Sequence, residues 1–304
     1  MKVLFMGNKD RGIKCLEALA NEQENIVGVI AHPKPDVSEI GSVASKAEEL
    51  GIQLDQPANI NSREMIARIK ELKPELIVMA GYNYLAGKRI LQIPEEGVIN
   101  LHGAKLPQYR GSSVSNWVII NCEMESAATI VYAEEGYDTG DILSEQTFEI
   151  APEDTIAEVL QKSLDVFPPL LVKTLEGIRS GKLRARKQDE SKACYYHSLS
   201  PDYSEPVDWK NMTAEEVHNW VRALTHPYNG AYTTSNGKRL TLWKTSLLGE
   251  TFKGIQGRVC YSKKDGVVVI ARDRGLLVEM VQEQGKEEVS AREYVGDNNV
   301  KYLG

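Results

Sequence analysis

The sequence predicts an α/β protein in two parts, a mostly parallel sheet covered by helices followed by a small β-barrel. The first part rests on residues 1–183, where short β-branched runs alternate with amphipathic stretches of helical period. The second rests on residues 206–304, where short alternating runs are broken by the turn signals Asn229-Gly230, Asn236-Gly237 and Asp265-Gly266. Between them, residues 184–205 are polar and aperiodic and read as a linker. A length of 304 residues agrees with two domains, since one domain typically spans about 100 to 200 residues.

In chain order, residues 2–7 and 26–31 are apolar runs of strand length, with helical patterns over 12–20 and 43–50. Residues 62–72 read as a further helix, and 76–80 and 98–101 as buried strands. A long helix opens after Pro152-Glu153-Asp154, where Thr155 and Glu158 form a capping box, and closes the first domain near Lys182. A second capping box, Thr213 to Glu216, starts a helix carrying Val217, Trp220, Val221 and Leu224. Trp117 reads as a helix residue packed in a core.

Composition narrows the function classes. The 36 basic and 43 acidic residues give a formal charge of −7, which argues against a broad nucleic-acid surface, because phosphate binding needs clustered Lys and Arg. Cys15, Cys122, Cys194 and Cys260 are scattered without a CxxC pair or a His at ligand spacing, and read as reduced thiols with no metal site. The chain lacks a secretory signal pattern and any apolar run of about 18 residues, so a cytoplasmic protein without membrane partners is expected.

The chemistry concentrates in Asn100-Leu101-His102-Gly103 and, further on, Gly136-Tyr137-Asp138-Thr139-Gly140-Asp141. Asn100 and His102 are two apart on an extended segment, so they share a face, at the carboxyl end of a strand where open α/β sheets bind ligands. An amide, an imidazole and a carboxylate can hold an oxyanion and move a proton, which suits acyl transfer without a covalent enzyme intermediate. Singly, each residue has a plainer explanation. His102 can bond a backbone carbonyl, Asn100 can satisfy a strand end, and Asp138 can belong to a turn. The glycines Gly7 and Gly12 do not form a dinucleotide fingerprint. The loop Asn8-Lys9-Asp10-Arg11 precedes a helix and is either a phosphate contact or a solvated turn.

The run from Asn100 to Glu123, NLHGAKLPQYRGSSVSNWVIINCE, followed by GYDTGDIL, resembles the formyltransferases that use N10-formyltetrahydrofolate. Residues 206–209 and 221–231 extend the resemblance into the C-terminal part. It implies a Rossmann-like formyltransferase fold with an OB-like C-terminal barrel, and a catalytic triad of Asn100, His102 and Asp138. It also implies N10-formyltetrahydrofolate as donor without a metal, with the pterin near Gly81, Tyr82, Leu85 and the loop Gly136, Asp138 and Asp141. Whether His102 or Asp138 takes the amine proton stays open. Family members acting on initiator tRNA are expected to carry a basic, Gly-rich insertion after the second strand. Here residues 32–43 are short and nearly neutral, which favours a nucleotide-linked 4-amino sugar as acceptor and a place in surface-polysaccharide synthesis. Asn8, Lys9, Lys105 and Arg110 are then candidates for its diphosphate or hydroxyls, with clamping of a loop carbonyl as the other use of Arg110. A methionyl-tRNA formyltransferase is the alternative, and a formyltetrahydrofolate hydrolase a further one. The barrel offers an edge or an apolar face for a homodimer.

Overall fold

Seven strands of residues 2–149 form one mixed sheet. The structure, a computed structural model, describes residues 1–33, 40–199 and 206–304. In chain order the first elements are β1 (Lys2–Gly7), α1 (Lys9–Asn21), β2 (Asn25–Ala31), α2 (Val43–Glu49), β3 (Leu54–Asp55) and α3 (Arg63–Leu72). There follow β4 (Leu76–Ala80), α4 (Lys88–Leu91), β5 (Val98–His102), β6 (Arg110–Gly111), α5 (Val114–Ile120), β7 (Glu125–Tyr132), β8 (Ile142–Glu149) and α6 (Ile156–Arg179).

β1 pairs in parallel with β2 and β4, β4 pairs in parallel with β5, and β7 lies antiparallel to β5. β4 is buried at all five positions, as befits a strand covered on both faces. One face packs Ile13, Leu16 and Leu19 of α1 with Phe167, Leu171 and Leu175 of α6, and the other packs Met65, Ile66 and Ile69 of α3. The chain runs outward from β1 to β2 and β3, then returns on the other side of β1 as β4. This reversal opens a crevice at the carboxyl ends of β1 and β4, beside the end of β5.

The chain divides into two compact units. The first comprises residues 1–114, 125–148 and 161–196; the second comprises 115–124, 149–160 and 197–304. Most of α5 and the start of α6 therefore belong with the C-terminal residues, although they precede residue 183.

In the second unit, α7 (Ala214–Leu224) starts at the capping box of Thr213 and Glu216. It packs Val217, Val221 and Leu224 onto a six-stranded antiparallel sheet, with Trp117 and Ile120 of α5 against the same core. The sheet contains β10 (Ala231–Ser235), β11 (Lys238–Leu247), β12 (Val259–Lys263), β13 (Gly266–Ile270), β14 (Gly275–Glu283) and β15 (Val289–Ser290), and α8 (Ala291–Asn298) follows. Asn116, almost fully buried, donates from Nδ2 to the Ala223 carbonyl at 2.7 Å.

The expected linker over 184–205 needs correction in its described part; residues 200–205 lie outside the described residues. Arg186 forms an antiparallel bridge with Ile142, residues Glu190–Lys192 make a 3₁₀ turn, and β9 (Tyr195–Tyr196) pairs in parallel with β6. Two-residue strands leave no periodic signature, and their partners lie far away in sequence. Nothing local could announce them.

Candidate active site

Three elements converge at the carboxyl mouth of the first sheet. β5 supplies Asn100 and His102 on one face, and its antiparallel partner β7 leads into the loop 133–141 that carries Asp138. The side chains expected to act together are together. Asp138 Oδ1 lies 3.4 Å from His102 Nδ1 and 3.5 Å from Asn100 Nδ2, while its Oδ2 accepts the Gly111 N–H at 2.9 Å. The first two distances are long for hydrogen bonds.

His102 is buried, and its Nε2 lies 2.5 Å from the Tyr109 carbonyl. A carbonyl only accepts, so Nε2 carries a hydrogen and donates it. Nδ1 is left facing the carboxylate, and one proton site lies between Nδ1 and Asp138 Oδ1. The plainer role for His102, bonding a backbone carbonyl, is met at Nε2, and Nδ1 is turned toward Asp138.

Burial pushes the Asp138 carboxyl up, but the hydrogen bond and charge of His102, the Gly111 N–H and the Arg110 guanidinium bring it below the usual carboxylate range. Asp138 also has φ of 54°. Left-handed backbone in a non-glycine residue costs roughly 1–3 kcal/mol and persists where surrounding bonds enforce it. Two glycines make room nearby. A Cβ on Gly140 would lie 2.0 Å from the Tyr132 carbonyl, and one on Gly111, at φ 102°, would lie 2.3 Å from the Tyr196 carbonyl.

Gly81 and Tyr82 follow β4 at the crevice. Gly81 has φ of 69°, and a Cβ there would lie 2.7 Å from the Asn8 carbonyl, so the chain passes β1 closely at this point. Asn8 and Tyr82 are buried, and Asn8 Nδ2 and Tyr82 Oη have no hydrogen-bond partner among the described residues. Burial pushes the Tyr82 phenol up to about 12. Leaving such an atom unmet costs about 1–3 kcal/mol. Leu85 is 52% exposed, with its carbonyl held by Asn61 Nδ2 at 2.9 Å. Gly136 is exposed, and the Asp141 carbonyl accepts from Tyr132 N at 3.0 Å.

Two of the proposed substrate contacts are otherwise engaged. The Lys105 ammonium is paired with Glu125. Arg110 is 0% exposed, and its five N–H donors go to Gln188, Glu190 and Tyr195. A diphosphate cannot reach Arg110 without dismantling these bonds, and the guanidinium holds side chains of residues 188–195 rather than a loop carbonyl. Lys9, exposed at φ 54°, begins α1 beside Asn8.

Sequence reasoning missed Gly111, the Tyr109 carbonyl and Gln188. Gly111 carried a legible signal, a glycine after the motif Gln108-Tyr109-Arg110; Gln188 carried none. Among the described residues no group of three His, Cys, Asp or Glu side chains is placed to hold a metal, the four cysteines are free, and no helix is long and apolar enough to cross a membrane.

Comparison with known proteins finds relatives along nearly the whole chain. The Formyl transferase family model matches residues 1–175, and the Formyl transferase, C-terminal domain model matches 203–299. A methionyl-tRNA formyltransferase of Clostridioides difficile (strain 630) is 33% identical over 306 residues, covering 99% of this chain and 98% of its own length. That of Halothermothrix orenii is 34% identical over 313 residues, with the same coverage. Among solved structures, the N-formyltransferase from Helicobacter canadensis, in complex with folinic acid and dTDP-3-aminofucose, is 19% identical at a TM-score of 0.74, covering 93% of this chain and 99% of its own. WlaRD, a sugar 3N-formyl transferase, is 18% identical at a TM-score of 0.73, covering 94% and 99%. At such identities these structures speak for the fold alone. With both domain models matched in order and relatives aligned along nearly their whole length, the chain belongs to the formyl transferase family and is a formyltransferase.

Proposed function

We propose that the protein moves a formyl group from N10-formyltetrahydrofolate to a primary amine, with Asn100, His102 and Asp138 as catalytic residues. The observation that carries this reading is the convergence of the Asn100 and His102 side chains on Asp138 Oδ1. When bound, the folate supplies an activated formyl group and leaves as tetrahydrofolate. The crevice suits a pterin, whose donors and acceptors can meet the unpaired Asn8 Nδ2 and Tyr82 Oη. Asn100 Nδ2 donates to the oxygen on which negative charge develops, a contact worth roughly a hundredfold to a thousandfold in rate. His102 has Nε2 committed to the Tyr109 carbonyl, so the Asp138 carboxylate takes the amine proton, which ends on the departing nitrogen of the donor, and the imidazole steadies the pair.

The acceptor we infer is methionyl-tRNA. The full-length relatives at 30–34% identity carry the name methionyl-tRNA formyltransferase, and they match across both domains. The exclusion of nucleic acid expected from net charge is not supported by these relatives. A nucleotide-linked amino sugar is the second reading, favoured by the segment 32–43, whose one lysine, Lys34, is offset by Asp36 and Glu39. Residues 34–39 lie outside the described residues. The test is tetrahydrofolate release from N10-formyltetrahydrofolate with initiator methionyl-tRNA, with a panel of nucleotide-linked 3- and 4-amino sugars, and without amine. Turnover confined to tRNA supports methionyl-tRNA as the acceptor, and turnover confined to one amino sugar replaces it. Release without amine refutes transfer in favour of hydrolysis.

A further inference from the structure

The segment after α6 reaches back to the catalytic loop through one amide. Gln188 Nε2 donates to the Asp138 carbonyl and to the Gly140 carbonyl, both at 2.7 Å. Its Oε1 accepts from Arg110 Nε at 3.1 Å and Arg110 Nη2 at 2.8 Å. The orientation of this amide is forced. A guanidinium only donates and carbonyls only accept, so oxygen faces Arg110 and nitrogen faces the loop.

Arg110 is itself buried with all five donors engaged. Its remaining donors go to both carboxylate oxygens of Glu190, at 2.9 and 2.6 Å, and to Tyr195 Oη at 2.8 Å. Gln188, Glu190 and Tyr195 lie on one stretch of chain, stitched to the rest of the first unit by the Arg186–Ile142 bridge and by β9 on β6. The neighbour of Arg110, Gly111, donates its N–H to Asp138 Oδ2. Asp138 is therefore held from two sides, its backbone by Gln188 and its carboxylate by Gly111, and both holders are fastened to Arg110.

We infer that Gln188 is a positioning residue for catalysis: it fixes the left-handed backbone of Asp138 so that the carboxylate faces His102 and Asn100. The two bonds fall on the strained residue and on the glycine two positions later, where they oppose relaxation of the loop toward ordinary φ values. The inference rests on the assignment of Asp138 to proton transfer.

The experiment combines Gln188→Ala and Gln188→Glu with Asp138→Asn in a double-mutant cycle, alongside amide hydrogen exchange. Gln188→Ala lowers kcat by about 100-fold, the loss expected from misplacing a reacting group by about 1 Å, while the KM for the formyl donor stays within about threefold. Added to Asp138→Asn, it changes kcat by less than about twofold, because the group it positions is already disabled. Gln188→Glu keeps the bonds to Arg110 but sets an acceptor against two carbonyls, and it loses at least as much as the alanine variant. It also keeps the inference testable if the alanine variant fails to fold. Independent losses in the cycle, or wild-type turnover in either single variant, overturn the inference. Without any substrate, exchange of the Gly111 amide rises about tenfold or more in both variants while that of Val78 and Ile99 is unchanged; an unchanged Gly111 overturns the inference too. An inactive wild-type protein would instead refute the proposed function, and the exchange measurement would still judge Gln188.

Discussion

Replacing Asp138 by asparagine separates the charge of this residue from its shape. The amide is isosteric, its oxygen can still accept the Gly111 N–H and its nitrogen can donate to His102 Nδ1, while the long contact from Asn100 Nδ2 loses its acceptor. What disappears is an ionised carboxylate with 13% of its side chain exposed. General base catalysis is worth about 10²–10⁴ in rate, or about 3–5.5 kcal/mol of barrier, and the substitution is expected to lower kcat within that range. The assay is tetrahydrofolate release at pH 7 with saturating donor and acceptor. Stability provides a second reading with a definite sign. The folded carboxyl titrates below its ordinary value, so it stabilises the fold above the unfolded value of about 3.9, and this contribution is lost as pH falls through the lower folded value. The stability difference between wild type and Asp138→Asn should therefore shrink on acidification through this window. A kcat within about threefold of wild type at pH 7 would refute the role of the carboxylate.

Three further outcomes follow from geometry. Gly111→Ala places a Cβ 2.3 Å from the Tyr196 carbonyl at φ 102°, and should lower the urea midpoint by the equivalent of about 2 kcal/mol or more; an unchanged midpoint would contradict the close approach of β6 and β9. Asn116→Ala leaves the buried Ala223 carbonyl unmet and should cost about 1–3 kcal/mol by chemical denaturation, with the m-value unchanged. Thr213→Ala removes the side-chain cap of α7 and should cost about 1 kcal/mol, whereas Thr213→Ser should restore most of it.

Much of the fold is legible in local pattern. β1, β2, β4 and β5 read as apolar runs because they are buried on both faces, and α7 announces itself through its capping box. The alignment of Asn100 with His102 follows from the two-residue period of a strand and needs no partner to be read. Arg110 shows where reading stops. An arginine beside a reactive motif admits phosphate recognition and loop clamping equally, because both use the same donors. Only the approach of Gln188, Glu190 and Tyr195, about eighty residues further along, sets what they bind.

The α/β class, the family and the candidate catalytic residues can be read from the linear chain, because they depend on local periodicity and on an ordered motif. Tertiary structure alone decided which ring nitrogen of His102 faces Asp138, why Asp138 stands in a left-handed conformation, and that residues 186–196 are part of the site's frame. Those facts arise from hydrogen bonds between segments distant in sequence, and donors and acceptors do not select their partners until the chain has folded.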